Sequence, residues 1–75
     1  MTLDQILPGG NCRILKITYA DRLGVRLLTM GVYPGMILRV VRNAPLRDPM
    51  EIECEQIFLS LRRKEAQFIE VVPVS

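Results

Sequence analysis

Three glutamates at alternate positions, Glu51, Glu53 and Glu55, are the first residues here whose type and spacing could do chemistry. On a strand they would share one face, and carboxylate oxygens are ligands for hard divalent cations. Neighbours on such a face lie roughly 7 Å apart, at a rise of about 3.3 Å per residue, so one ion could hardly draw on all three. An acidic solvent face that also guards a sheet edge is the favoured reading, with weak metal binding as the alternative. Cys12 and Cys54 form no C-x-x-C pair, and the chain contains no histidine. A structural zinc site draws on four Cys or His ligands, so buried, reduced thiols on strands are expected instead. Met30, Met36 and Met50 could offer thioethers to Cu(I), but each falls at an apolar-phase position, where methionine fills a core. No cofactor and no dedicated metal site is expected.

Catalytic groups are scarce. The commonest general base, histidine, is missing, and neither Ser60 nor Ser75 has an adjacent base to activate it. No phosphate-binding loop of the G-x-x-x-x-G-K-[ST] or G-x-G-x-x-G type occurs, and a domain this small has little room for a deep pocket. The expectation is a non-enzymatic protein. Ten basic and eight acidic residues leave a net charge of +2, too balanced to imply a nucleic-acid partner. The one dense basic run, Arg62-Arg63-Lys64, is followed at once by Glu65; a solvated turn is favoured there over a phosphate contact.

The elements that must position these residues follow from period and punctuation. Leu3 to Leu7 reads as a short lead-in packing Leu3, Ile6 and Leu7, closed by the turn signal Pro8-Gly9-Gly10. Cys12 to Thr18 reads as a strand whose alternation slips between Ile14 and Leu15, the mark of a bulge. From Asp21 to Met30 the period changes: Leu23, Leu27 and Met30 recur at i, i+4 and i+7 on one face of a short helix. Asp21 is its expected N-cap and Gly31 its C′ residue, while Arg22, Arg26 and Thr29 share a second face. Tyr33-Pro34-Gly35-Met36 reads as a type II turn. Strands are expected over Met36–Asn43, Met50–Glu55, Ile57–Leu61 and Phe68–Val72, with a helical turn in Arg62–Ala66 and Pro73 ending the last strand.

The fold class expected is all-β with a short helix: five short strands, the helix after the first, closing into a small SH3-like barrel in one domain over 1–75. An OB-like barrel is second. The length allows one modest core, and an apolar content of 49% is enough to fold it. No run of strongly apolar residues exceeds three, far short of the roughly 20 of a membrane span. The N-terminus lacks a basic region and a long apolar stretch, so the expected location is cytoplasmic.

Three segments in order are similar to one known family. Arg26-Leu27-Leu28-Thr29-Met30-Gly31-Val32-Tyr33-Pro34-Gly35 resembles the helix-turn segment of the ferrous iron transport protein A family, FeoA. Ala44-Pro45-Leu46-Arg47-Asp48-Pro49 resembles its A-P-L-G-D-P loop, with Arg47 in place of the usual Gly, and Leu59 to Ala66 resembles its L-x-L-R-x-x-E-A segment. The resemblance spans nearly the whole chain. It implies an SH3-like barrel with a helix after the first strand, and a protein partner: the membrane ferrous iron transporter FeoB, which carries a cytosolic GTPase domain.

The first functional expectation is therefore an adaptor that binds and modulates that transporter. Its contact surface would be the helix and following turn, through Arg22, Arg26, Leu28, Met30 and Tyr33 with Arg47 alongside, because Arg, Tyr and Met are enriched at interfaces. Divalent-metal sensing ranks second, and RNA binding, by analogy of fold alone, third. Oligomeric state is not legible in the sequence.

Overall fold

The hydrophobic pattern resolves into five strands, β1 (Asn11–Ile17), β2 (Ile37–Asn43), β3 (Met50–Cys54), β4 (Ile57–Leu61) and β5 (Ile69–Val74). A helix α1 (Leu23–Thr29) follows β1, and a one-turn helix α2 (Arg63–Ala66) precedes β5. The structure is a computed structural model describing residues 1–18, 22–43 and 48–74. The strands form one antiparallel sheet in the order β4-β3-β2-β1-β5. Two register shifts curve it, one between Ile14 and Lys16 of β1 and one between Val40 and Arg42 of β2. Each extra residue bends its strand and increases the local twist. Nearly equal extents of 26 × 26 × 24 Å follow, as for a sheet curled on itself into an SH3-like barrel rather than laid flat. The β1 bulge lies at the slip in its alternation, and it turns Leu15 outward while Cys12, Ile14 and Ile17 point inward.

One apolar cluster fills the interior. Leu3, Ile14, Leu27, Leu38, Met50, Ile52, Leu61 and Ile69 are all fully buried, and among the described residues no polar or charged side chain is buried. Met36 and Met50 lie in this core and Met30 packs against its edge, as their phase predicts. Each fully buried aliphatic side chain contributes about 1.5–3 kcal/mol, so Leu23 and Leu27 together hold α1 firmly to the barrel.

At three places the structure differs from the pattern expected of the sequence. Leu7 is 69% exposed rather than packed: Gly9 donates to the Val40 carbonyl and Val40 to that of Gly10, which fixes the loop against β2 and turns Leu7 out. Glu55 is not a strand residue but the first position of a two-residue hairpin loop between β3 and β4, at φ 56°. Pro73 does not end β5, for it pairs with Cys12. Strand residues two apart present their N–H groups to the same edge. The Val71 N–H donates to the Met1 carbonyl at 2.7 Å on the side away from β1, so the missing N–H of Pro73 falls on that outer edge, where no ladder bond is needed.

Candidate partner-binding site

Helix α1 is set by its C-terminal turn. Val32 donates to the Leu27 carbonyl at 2.8 Å and Gly31, at φ 87°, to that of Leu28 at 3.0 Å. This is the Schellman arrangement, with the buried pair Leu27 and Val32 supplying its apolar contact. The expected type II turn follows: Gly35 sits at φ 97° and Met36 donates to the Tyr33 carbonyl at 3.3 Å. Gly35 also donates to the Ile14 carbonyl at 2.8 Å, and Ile14 to that of Met36 at 2.9 Å, so the turn is tied to β1. Helix and turn thus leave the barrel and return to it at fixed angles.

With Leu23, Gly24 and Leu27 inward, a step of about 100° per residue divides the exposed arc of α1. Arg22 and Arg26 occupy one flank and Leu28 the other, with Val25 and Thr29 between them. Val25 is 67% and Leu28 52% exposed, so α1 shows apolar side chains to solvent as well as to the core. Tyr33 is half exposed, whereas Met30 is partly buried against the core and offers only part of its surface. The residues predicted as one contact surface therefore lie on two flanks of α1 and on the turn beyond it. Arg47 lies outside the described residues, as does Asp21 and the cap predicted for it.

The arginine flank faces α2, a neighbour that no local pattern in the sequence joins to it. Asp48 Oδ1 accepts from the Arg63 N–H at 3.0 Å and Glu65 Oε1 from the Arg62 N–H at 2.9 Å, satisfying first-turn donors of α2. The Arg63 guanidinium donates to the Asp4 carbonyl, fastening α2 to the 3₁₀ turn Leu3–Gln5. Glu65 then reaches across to Arg26, Oε2 to Nη1 at 3.2 Å. Between the two helices runs an open groove of about 800 Å³, walled by Arg22, Leu23 and Arg26 on one side and by Lys64, Glu65, Gln67 and Phe68 on the other. Lys64, Glu65 and Phe68 were not among the predicted contact residues, because only the tertiary fold brings them to α1. The mixed-charge run at 62–65 was the one local signal.

The remaining candidates resolve locally. Glu51 pairs with Arg42, and Glu53 stands opposite Arg39 in the ladder, so the acidic face of β3 is matched by basic residues of β2. Among the described residues no three His, Cys, Asp or Glu side chains gather as ligands. Cys12 and Cys54 are free and fully buried. Burial pushes the Cys12 thiol up to about 11; burial and, second, the charge of Glu55 raise that of Cys54. Among the described residues no helix is long and apolar enough to cross a membrane.

The sequence matches the FeoA domain family over residues 1–73. It is 35% identical over 75 residues to an Fe(2+) transport protein A/Fe(2+) transporter FeoB fusion protein of Porphyromonas gingivalis, covering all of this chain and 9% of that protein. Among solved structures, the FeoA protein of Chlorobium tepidum superposes at a TM-score of 0.93 with 32% identity, covering 100% of this chain and 71% of that one. A zinc-complexed FeoA of Stenotrophomonas maltophilia, described as an SH3 domain protein, superposes at 0.79 with 24% identity over 96% of this chain and 89% of that one, a likeness of fold.

Proposed function

We propose that this chain, which belongs to the FeoA domain family, is an accessory of ferrous iron transport that binds the cytosolic part of a membrane Fe(II) transporter and modulates it. The observation that carries this reading is the relative in which an FeoA module and an FeoB transporter are one polypeptide. Fusing two modules places them at a high effective concentration, which is useful when they act on each other. The chain spans only about a tenth of that relative; in this reading the transporter's chemistry lies elsewhere and the domain contributes recognition.

The geometry supports binding rather than reaction. The exposed surface of α1 combines Arg22 and Arg26 with the apolar Val25 and Leu28, on an element held to the barrel by Leu23 and Leu27. Arginine beside exposed apolar side chains on a rigid support is the make-up of an interface core. The cytoplasm is the location this role requires.

The test is the affinity of the chain for the cytosolic GTPase domain of its own transporter. Arg22→Glu should weaken binding about tenfold, the equivalent of about 1.4 kcal/mol. Arg26 already holds Glu65, and reversing its charge would set two carboxylates together, so Arg26→Gln is the informative change there. Unaltered affinity in both variants, with the fold intact, would remove this surface from consideration.

A further inference from the structure

We propose that the groove between α1 and α2 receives an acidic segment of the partner bearing one bulky apolar side chain. The lining of the groove is both charged and apolar. Leu23 and Phe68 supply apolar surface, and Phe68 keeps 43% of its area exposed. Three cations, Arg22, Arg26 and Lys64, face one carboxylate, Glu65. Glu65 is engaged by Arg26, whereas among the described residues no ion pair or hydrogen bond engages the side chain of Arg22 or Lys64. The two unmatched charges therefore belong one to each wall, with apolar surface between them. A side chain inserted between the helices would cover Phe68, and carboxylates on either side of it would meet Arg22 and Lys64.

The size of the groove agrees with this occupant. At about 800 Å³ it falls within the roughly 300–1,000 Å³ of sites that enclose a bulky side chain or a small ligand. A nucleic-acid backbone or an anionic lipid surface is a poorer match, because such partners are held by clustered cations, and here a carboxylate stands among them. The Arg26–Glu65 pair joins the two walls and is half open to solvent on the arginine side. Exposed pairs of this kind hold weakly, so a carboxylate of the partner can exchange with Glu65 on Arg26 without disturbing the barrel.

This inference rests on the adaptor reading for the identity of the partner, and its test separates the two. The isotopically labelled full chain is titrated with three capped peptides: Asp-Glu-Leu-Phe-Glu-Asp, the same peptide with Lys for every acidic residue, and the acidic peptide with Ser for Leu and Phe. An oligothymidylate and phosphatidylglycerol vesicles serve as competing partner classes. The acidic Leu-Phe peptide should shift the amides of Leu23, Arg26, Lys64, Gln67 and Phe68 saturably. Both altered peptides, and the Arg22→Glu/Lys64→Glu double variant, should bind at least tenfold more weakly, while Arg22→Lys/Lys64→Arg retains binding. Equal affinity for the Lys peptide, no saturable shift at millimolar peptide, or stronger binding to the oligothymidylate or vesicles overturns the proposal. Peptide docking in the groove with no binding of the transporter's GTPase domain would uphold the groove and defeat the adaptor reading. Binding of that domain, unchanged by the double variant, would do the reverse.

Discussion

Cys12 shows how far burial alone sets the chemistry of a residue in this protein. Burial pushes its thiol up to about 11 in the folded chain, from an ordinary 9.0. The folded state therefore holds the proton more tightly: the associated stability is intact below about pH 9 and is lost as pH rises toward about 11. Cys54 moves in the same direction. Urea midpoints should fall across that window, and Cys12→Ala, though less stable throughout, should fall less steeply; parallel curves would contradict the assignment. Backbone conformation makes a second prediction at this scale. At Gly31 an added Cβ would meet Ile57 Cδ1 at an ordinary 3.7 Å, so Gly31→Ala should cost about 1 kcal/mol from its positive φ alone. At Glu55, φ 56° burdens a residue with a full side chain, and Glu55→Asn should gain about 0.5 kcal/mol in the same urea unfolding experiment, since Asn tolerates this region. The first of these positions was legible, because Gly after a periodic helix announces a C-terminal turn. The second was not, since the Glu alternation of β3 runs on into the loop without a break.

At the scale of elements, α2 has the least core of its own and depends most on its ends. Glu65 both accepts from the Arg62 N–H and pairs with Arg26. Replacing it with Ala should cost about 1 kcal/mol for the lost cap and at most about 0.5 kcal/mol more for an exposed ion pair. A double-mutant cycle with Arg26→Ala separates the two: the coupling should stay below about 0.5 kcal/mol, and a larger value would mean that the pair, not the cap, holds α2. Strands, the β1 bulge, the Schellman turn and the type II turn were all readable, because each is written in a few neighbouring residues. Pro73 was misread because its tolerance depends on which edge of β5 its nitrogen faces. That edge is set by the register of β5 against β1, at the other end of the chain.

For the whole molecule, the barrel serves as a rigid base from which α1 and α2 project a groove between them. Arg26 and Glu65 stand 39 residues apart, and no local pattern could have joined them; closure of the sheet does so. The contact residues proposed on α1 were chosen by residue type, whereas the wall that faces them has no local signature in the sequence. A rival surface exists on the outer face of the sheet, where Phe58 is 70% exposed beside Val41. The most direct test of the account is to titrate the isotopically labelled chain with the cytosolic GTPase domain of its own transporter and map the backbone amide shifts. The account predicts saturable shifts concentrated on Arg22–Leu28 and Lys64–Phe68. Shifts confined to Val41, Phe58 and Ser60, or none at high micromolar partner with the barrel folded, would contradict it.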